Sequence, residues 1–357
     1  MTARLRARER DSMGGVEFVS VLIPAWNSAS WVGEAIESAL AQTHARLEVV
    51  AVDDGSTDGT AEALRRFGER IRWGRTPHRG ATAARNRLLE LARGEWVQYL
   101  DADDLLLPEK IKRQLAAARA AGDVDLVASP YLSPAGEVLR GPHGDDPWLC
   151  FLEGRLGITS SHLFRRETLV RIGGWEVARP AAQEQELLQR LLASGARVAF
   201  LEEALCIKRR VNPQSLWRSI WRDDPKAARE ADVTPVAAAV RHLRHEGALT
   251  RERQAAAGAR FLLMARSAWR RGAGGWEDVL AEAEALQLPE RALLSQSSAL
   301  YRAVYRAAGF DRAEGLAQDG PRIRQWLRTR RQRLGRFVRR ARGLAAGALR
   351  RLHWPST

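Results

Sequence analysis

The sequence is poor in cysteine and has no long apolar run. Cys150 and Cys206 are its two cysteines in 357 residues, and neither lies in the closely spaced pairs typical of zinc sites. This excludes a disulfide framework, and we expect two reduced thiols of a cytoplasmic protein. No apolar run approaches the ~18–20 residues that a membrane-spanning helix needs. Residues 1–15 are rich in arginine but lack the apolar stretch of a signal peptide, so we expect a disordered lead-in.

Acidic residues are missing from one end of the chain. Residues 321–357 contain twelve arginines and no aspartate or glutamate. The rest of the chain has 45 basic and 43 acidic residues, so the net charge of +14 belongs mostly to this tail. A high overall charge that is confined to a tail does not indicate a nucleic-acid-binding domain, and we expect no specific nucleic-acid partner.

The same tail has a helical pattern of apolar residues. They recur at spacings of three, four and seven, which predicts one apolar stripe with arginines on the opposite face. A basic amphipathic helix of this kind favours an anionic membrane surface. We therefore expect a peripheral protein at the inner face of the cell membrane. The alternatives are packing against another protein domain and non-specific contact with RNA.

Helix and strand patterns divide the remaining chain in two. From residue 18 to about 130 they alternate, which predicts an α/β fold with a mostly parallel sheet. After about residue 216 alanine, arginine, glutamate and leucine dominate and strand patterns disappear. The expected organisation, after the lead-in, is an α/β domain over residues 16–220, a helical extension over 221–320 and the basic amphipathic tail over 321–357.

An apolar strand that runs straight into three carboxylates is the most informative feature of the chain. Asp101, Asp103 and Asp104 follow Tyr99 and Leu100. Carboxylates this close repel one another unless a cation lies between them. Mg²⁺ and Mn²⁺ favour oxygen ligands of this kind, and the metal would most naturally hold a diphosphate. The alternative is a solvated acidic turn before a helix that begins near Pro108.

Two other strands end in polar turns. Residues 47–52 are apolar and β-branched and lead into Asp53 and Asp54, while residues 19–23 lead into Pro24 and the turn behind it. Ligands of open α/β sheets lie outside the carboxyl ends of the strands. The three strand ends therefore predict one cleft.

Taken together, four segments resemble successive motifs of the family 2 glycosyltransferases. They are SVLIPAWN at residues 20–27, VDDGSTDGT at 52–60, ARN at 84–86 and LDADD at 100–104. The resemblance covers about residues 18–215. It implies an inverting enzyme of the GT-A fold with a nucleotide-sugar donor, most often a UDP-sugar, and a divalent metal, Mn²⁺ or Mg²⁺. The acceptor would be a hydroxyl of a glycan, a lipid-linked glycan or another molecule, which suits cell-envelope or polysaccharide synthesis.

The resemblance also assigns residues to the donor. Pro24 and Ala25 would offer backbone groups near the base and ribose, and Asp54 would accept a hydrogen bond from the base. The alternative for Asp54 is an Asx turn or a helix cap. The other expected donor-binding residues are Asn27, Arg85, Asn86, Asp101, Arg209 and Arg210, the last two in a loop that closes over the diphosphate.

The same comparison implies a metal ligand and a base. Asp103 would ligate the metal, with Asp101 in the metal shell or at the ribose. The family's base follows a Gly-Gly-aromatic segment, here residues 173–175, but its usual Glu-Asp pair has become Gln183 and Glu184. We expect Glu184 to be the general base. Glu186 is the alternative base, and the remaining alternative is that both glutamates serve only a helix N-terminus.

Two other functions compete with this interpretation. A nucleotidyltransferase also uses carboxylate-bound metal, but such enzymes carry a glycine-rich phosphate loop after the first strand, where this chain has Pro24 to Asn27. A degenerate glycosyltransferase-like scaffold that acts through its basic tail is the alternative from another class, and the altered Gln183–Glu184 pair keeps it open. His162 lies where acceptors bind in the family, and we expect a structural role for it.

Overall fold

The computed structural model describes most of the chain between residues 16 and 317. The described ranges are residues 16–139, 141–177, 179, 181–209, 220, 222–272, 274–299, 301–303, 305–315 and 317. The chain divides into two compact units, Met1–Ser295 and Gln296–Thr357. In the second unit, residues 301–303 and 305–315 are helical. The expected lead-in over residues 1–15 and the basic tail over 321–357 lie outside the described residues.

The described strands form two sheets. Their bounds are β1 Val19–Ala25, β2 Leu47–Asp53, β3 Arg72–Arg75, β4 Trp96–Tyr99, β5 Leu105–Leu106, β6 Leu126–Ala128, β7 Tyr131–Leu132, β8 Val138–Leu139, β9 Leu163–Arg165, β10 Val198–Phe200 and β11 Cys206–Ile207. The larger sheet has the order β10-β6-β9-β4-β1-β2-β3, and the smaller has the order β5-β11-β7-β8.

Helices flank the larger sheet, and the described secondary-structure elements after β11 are all helices. Their bounds are α1 Val32–Leu40, α2 Thr60–Arg65, α3 Ala81–Leu91, α4 Lys110–Ala121, α5 Pro147–Leu152, α6 Arg166–Arg171, α7 Gln183–Ala193, α8 Pro225–His245, α9 Arg251–Arg270, α10 Trp276–Ala285 and α11 Glu290–Leu293. No helix among the described residues is long and apolar enough to cross a membrane.

Strand β1 lies at the centre of the sheet and brings three strand ends together. It pairs in parallel with β2 and with β4, so that Leu22 lies opposite Val50 on one side and Tyr99 on the other. Parallel neighbours end at the same edge of a sheet. The expectations of an α/β fold, a mostly parallel sheet and adjacent polar strand ends are confirmed.

Two strands of the larger sheet were not expected from the sequence. Residues 160–166 are predicted to lead directly into a short helix, but Leu163–Arg165 first forms β9, which runs antiparallel between β4 and β6. Phe164 pairs with Val97 on one side and Leu126 on the other. β3 was also missed, because its residues Arg72–Arg75 include two arginines and a glycine. Neighbouring strands, rather than local propensity, determine both.

Both faces of the central strands are buried. Val21 and Ile23 on β1 pack with Ile36 of α1 on one side, while Leu22 and Val50 on the other side are also inaccessible to solvent. A strand buried on both faces has a nearly continuous apolar sequence. This explains why β1 and β2 were predicted with nearly their observed bounds.

The helices after residue 224 pack on the α/β region in the first unit. Helix α8 contacts α7, and α9 contacts α5. Asp146 caps α5 by accepting from the backbone N–H of Leu149 at 3.0 Å, and the same carboxylate receives the Arg253 guanidinium of α9 at 2.8 and 3.0 Å. The domain boundary at residues 220 and 221 stays a prediction.

A lysine without solvent contact lies beneath strand β4. Lys110, at the start of α4, is completely buried, and its Nζ donates hydrogen bonds to the side-chain oxygens of Gln98 and Gln114. Gln98 also donates to the carbonyl of Ser160 at 3.0 Å. Burial lowers the pKa of Lys110 to about 7, because a charged ammonium is poorly solvated there. The network therefore contains a charge that opposes folding at and below neutral pH.

This lysine predicts a pH dependence of stability. Between pH 7 and pH 10 the unfolded chain holds the Lys110 proton and the folded chain does not, so the free energy of unfolding rises with pH. Relative to Lys110→Met, wild type should gain roughly 1.4 kcal/mol per pH unit at most in this range. Urea unfolding at pH 7 and pH 9 measures the difference. Lys112→Met changes an exposed lysine of the same helix and leaves Lys110 in place, so it should keep the wild-type trend; equal pH trends for all three proteins would contradict the prediction.

Candidate active site

Hydrogen bonds join the turns that follow β1 and β2. Asn27 has a left-handed backbone with φ of 46°, which asparagine tolerates better than most residues. Its backbone N–H donates to Ser56 Oγ at 2.9 Å, and its Oδ1 accepts from the Thr57 N–H at 2.9 Å. Pro24 and Ala25 lie in the last two positions of β1. The expected donor-binding residues of the first motif therefore lie at the carboxyl edge of the sheet.

Asp54 is buried and organises the loop before α3. Its two carboxylate oxygens accept from the backbone N–H groups of Arg79, at 2.9 Å, and Gly80, at 2.8 Å. His78 Nδ1 lies 2.9 Å from Asp54 Oδ2. The carboxylate therefore satisfies two amides of the loop that ends at Gly80, immediately before α3. A contact of Asp54 with a nucleotide base stays a prediction.

His78 was missed in the sequence analysis. Its ring stacks on Trp26, with ring centroids 4.8 Å apart and an angle of 22° between the planes. The Trp26 side chain remains 40% exposed, so the stacked pair forms an aromatic surface beside the β1 and β2 turns. No local pattern indicated it, because the two residues are far apart in sequence.

Arg85 connects the acidic turn to α7. Its guanidinium donates from Nη2 to Asp101 Oδ1 at 2.8 Å and from Nη1 to Gln183 Oε1 at 2.9 Å. The same group lies over the Trp175 ring, 4.6 Å from its centroid, within the range of a cation–π contact. Gln183 thus provides the acceptor that Arg85 needs without adding another carboxylate to the site.

Asn86 holds the segment before α7 rather than pointing into open space. Its Nδ2 donates to the Trp175 carbonyl at 2.8 Å, and its Oδ1 accepts from the Trp175 N–H at 2.8 Å. Gly174 lies so close that a Cβ there would come within 2.5 Å of Asn86 Oδ1. Both ends of the amide are occupied, so Asn86 supports the ring on which Arg85 rests. Its expected contact with the nucleotide sugar stays a prediction.

The three carboxylates after β4 differ in their partners. Asp104 is buried, accepts from Ser160 Oγ at 2.8 Å and from the Arg209 N–H at 3.1 Å. Burial, followed by repulsion from Asp101 and Asp103, raises the pKa of Asp104 well above its usual range. Burial and then Asp101 raise the pKa of Asp103 to about 6. The turn therefore concentrates negative charge that its surroundings only partly compensate.

Two cations from the segment after β11 face this charge. Burial lowers the pKa of Lys208, but the nearby Glu184, Asp104 and Asp101 raise it more, so the net shift is upward. Arg209 donates from Nε to the Asp103 carbonyl at 2.8 Å and pairs with a glutamate of α1. Arg209 is therefore brought to the acidic turn as expected, Lys208 joins it, and Arg210 lies outside the described residues.

The donor set suits a hard divalent cation. Asp101 and Asp103 offer carboxylate oxygens, the preferred ligands of Mg²⁺ and Mn²⁺, and their mutual repulsion would be relieved by a positive ion. Among the described residues there is no group of three His, Cys, Asp or Glu side chains placed to hold a metal. A cation would therefore complete its coordination with water and with oxygens of a bound ligand. The assignment of Asp103 and Asp101 as its ligands stays a prediction.

The two candidate bases have different surroundings. Burial raises the pKa of Glu184 to about 7, Lys208 and Arg85 lower it, and Asp101 raises it. Glu186 instead pairs with Arg190 one helical turn away, and Arg190 also donates to the carbonyls of Ile172 and Gly174. Glu184 thus has a raised pKa beside the acidic turn, whereas Glu186 anchors the Arg190 side chain. The assignment of Glu184 as the general base stays a prediction.

Known proteins confirm the class of this fold. The solved structure of TarS residues 1–349 from S. aureus superposes with a TM-score of 0.61 at 17% identity, covering 85% of this chain and 91% of that one. TarS in complex with UDP-GlcNAc gives 0.52 at 18% identity, covering 85% and 92%. The fold, with its carboxylates at the ends of parallel strands, is of the GT-A type.

Sequence comparison gives the family. Residues 20–179 match the model described as Glycosyl transferase family 2, and this part of the chain belongs to that family. An uncharacterized glycosyltransferase of Rickettsia felis is 43% identical over 99 residues, 27% of this chain and 16% of the relative. The succinoglycan biosynthesis protein ExoO of Rhizobium meliloti is 35% identical over 158 residues, 41% and 45%. The chain thus spans less than half the length of these relatives.

The two hydrogen bonds between Asn86 and the Trp175 backbone predict an effect of Asn86 on the free energy of unfolding. Asn86→Ala removes two hydrogen bonds to the Trp175 backbone and should lower the free energy of unfolding by about 2 kcal/mol. Chemical denaturation measures this. Arg87→Ala, on the exposed face of the same helix, is the matched control and should change it by less than about 0.5 kcal/mol. An equally small effect of Asn86→Ala would show that these hydrogen bonds do not hold the segment.

Proposed function

We propose that this chain is an inverting glycosyltransferase that moves a sugar from a nucleotide-diphosphate sugar, with UDP as the preferred nucleotide, to an acceptor hydroxyl. The observation that carries the proposal is the position of Glu184, a largely buried carboxyl whose pKa burial raises to about 7, beside the Arg85–Asp101 pair. The similarity to a succinoglycan biosynthesis protein supports a role in polysaccharide synthesis, and the UDP-GlcNAc complex of TarS, which has the same fold, supports a UDP-sugar donor.

Glu184 would act as the general base. Its carboxylate removes the proton of the acceptor hydroxyl while that oxygen attacks the anomeric carbon. The bond from the anomeric carbon to the diphosphate oxygen breaks with both electrons leaving on the diphosphate, so one displacement inverts the configuration. A base with a pKa near the working pH is efficient, because it is ionised in the ground state and still a strong proton acceptor.

The chain offers several cations for the departing diphosphate. Lys208 and Arg209 face the acidic turn after β4 from the segment behind β11, and Arg85 is fixed by Asp101 and Gln183. A divalent cation on Asp103 and Asp101 would, when bound, neutralise negative charge on the leaving group. These cations would offset the negative charge that develops on the departing diphosphate.

The basic tail is assigned to membrane docking. Residues 321–357, with twelve arginines and no acidic residue, would hold the enzyme at an anionic membrane surface. Such a surface is where a lipid-linked or envelope acceptor becomes accessible.

Donor binding predicts a shift in melting temperature. A donor at 100 times its dissociation constant stabilises the folded state by about 2.7 kcal/mol, which amounts to several degrees. A panel of UDP-, GDP- and dTDP-sugars, each with and without Mn²⁺, should show one nucleotide with a metal-dependent shift. The change Asp103→Asn should abolish that shift and leave the melting temperature of the ligand-free protein equal or higher, because one of the repelling carboxylates is removed.

An exposed carboxylate provides the matched control for this experiment. Asp123 is 77% exposed at its side chain, and Asp123→Asn should keep the donor shift. The absence of a shift with every donor would refute the donor site and favour a glycosyltransferase-like scaffold. A metal-independent shift that survives Asp103→Asn would refute only the metal assignment.

The general base predicts a pH profile. Below about pH 7, kcat/KM for transfer should rise about tenfold per pH unit and then level off, since only ionised Glu184 accepts the proton. Glu184→Gln should lower kcat by about 10²–10⁴-fold at neutral pH and remove this rising limb. The measurement is initial rates from pH 5.5 to 8.5 with saturating metal.

Glu186→Gln is the control for the base. It changes a carboxyl on the same helix that is paired with Arg190, so it should reduce stability and keep the rising limb. If Glu186→Gln lost the rising limb of the pH profile and Glu184→Gln kept it, Glu186 rather than Glu184 would be the general base.

A further inference from the structure

Two buried polar atoms face each other beside the acidic turn without a hydrogen-bond partner. They are His162 Nδ1 and Glu184 Oε1, and they lie 3.6 Å apart. His162 has no solvent-exposed surface, and the side chain of Glu184 is 18% exposed. A buried polar atom without a partner costs free energy, so this pair needs a physical explanation.

The tautomer of His162 is determined by its other ring nitrogen. Nε2 lies 2.9 Å from the Leu156 carbonyl oxygen, and a carbonyl only accepts hydrogen bonds. Nε2 therefore carries the hydrogen, and Nδ1 presents a lone pair towards Glu184. Burial, with a further contribution from Lys110, lowers the pKa of His162 to about 4 although the Leu156 hydrogen bond raises it. The ring is thus neutral at physiological pH.

The position of the ring is as restricted as its tautomer. The edge of Phe164 packs against it, with ring centroids 5.3 Å apart at an angle of 68°. Gly157, with φ of 113°, lies so close that a Cβ there would come within 3.0 Å of Nε2. His162 itself lies between the short turn Thr159–Ser161 and strand β9. Rotation of the ring would break the Leu156 contact, so Nδ1 points towards Glu184 permanently.

A lone pair cannot bond to an ionised carboxylate, because both groups are acceptors. It can accept from a protonated carboxyl. The distance of 3.6 Å is too long for a hydrogen bond, so the protonated carboxyl would have to approach Nδ1 by a few tenths of an ångström, about the limit for this bond. No hydrogen bond therefore joins His162 Nδ1 to Glu184 while Glu184 is ionised, and one can form when Glu184 gains a proton.

We propose that His162 is the positioning residue of the general base, and that its Nδ1 accepts a hydrogen bond from Glu184 once that carboxyl has taken the proton of the acceptor hydroxyl. This inference rests on the proposed function. The acceptor O–H bond breaks and a Glu184 O–H bond forms, while the proton remains on Glu184 and is shared with Nδ1. Holding the neutral acid in this way keeps the proton from returning to the new glycosidic oxygen.

The charges around the pair set the direction of the expected effect. Lys208 and Arg85 favour ionised Glu184 and Asp101 opposes it, and the hydroxyl of Thr159 also favours the ionised form. Of the charged groups around His162, Lys110 disfavours a positive charge on the ring. A hydrogen bond from neutral Glu184 to Nδ1 stabilises the protonated carboxyl. Removal of Nδ1 should therefore lower the pKa of Glu184.

Two substitutions of His162 test the contributions of its two ring nitrogens separately. His162→Gln places an amide nitrogen near the position of Nε2, so it keeps the Leu156 hydrogen bond and loses the Nδ1 acceptor. His162→Asn places its terminal atoms near Nδ1 and loses the Leu156 bond. In His162→Gln the rising limb of kcat/KM should move about one pH unit lower, and kcat should fall about tenfold. His162→Asn should keep the wild-type position of the limb, even if its melting temperature is lower.

The opposite pattern would overturn the inference. A wild-type limb and kcat in folded His162→Gln, with loss of function only in His162→Asn, would show that His162 serves the fold through Nε2 alone. Glu184→Gln, measured in parallel, keeps the two proposals apart. If Glu184→Gln is inactive and His162→Gln is normal, only the positioning role fails; if Glu184→Gln is active, the proposed base fails.

A second measurement does not depend on activity or on a folded His162 variant. The ¹⁵N chemical shift of His162 Nδ1 in the histidine-labelled full-length chain should be that of an unprotonated nitrogen. It should change as the pH passes through about 7, when Glu184 titrates, and the change should disappear in Glu184→Ala. A shift that stays constant from pH 5.5 to 8.5 in wild type would refute the hydrogen bond.

Discussion

The guanidinium of Arg85 is the contact on which the candidate site depends. It joins the acidic turn after β4 to the first residue of α7 through Asp101 and Gln183, and it rests on the Trp175 ring. A planar, permanently charged fork can hold two acceptors and a ring at once, which a lysine ammonium cannot. The next residue, Asn86, holds the backbone of that ring. Two consecutive positions of α3 therefore align the acidic turn with the helix that carries Glu184.

Concentrated negative charge has a cost that the surrounding cations only partly offset. The pKa values of Asp103, Asp104 and Glu184 are all raised, although Lys208 and Arg209 approach the same turn. A fold selected for stability alone would not bury carboxyls in this way. The repulsion among these carboxylates would be relieved by a bound cation. The charge distribution of a transition state would likewise replace repulsion with attraction, so the repulsion is useful for binding and catalysis.

Glu184 illustrates how a departure from a family pattern is accommodated. The usual Glu-Asp pair has become Gln183 and Glu184. Gln183 still accepts from Arg85, so the substitution removes a charge and keeps the hydrogen bond. His162 faces the longer Glu184 side chain at 3.6 Å. The altered pair therefore argues for an adjusted site more than for a degenerate one.

Features that depend on local composition and on the order of segments could be predicted from the amino-acid sequence. Continuous apolar strands such as β1 and β2 must be buried on both faces, and the polar residues that end them, including Asp101 and Asp103, could be assigned to one edge because parallel strands end together. The alternation of strands and helices was enough for the fold class. The short strand β9 escaped prediction, because its pairing partners lie far away in the chain.

The contacts between side chains that are distant in the sequence became known from the folded chain. Nothing local predicts that Asn86 binds the Trp175 backbone, that His78 stacks on Trp26, or that the lone pair of His162 faces Glu184. Such contacts depend on the register of helices packed on the sheet and on burial, which sets the pKa values that a sequence pattern cannot show. Residue types specify the available chemistry, and packing specifies the geometry and protonation in which it operates.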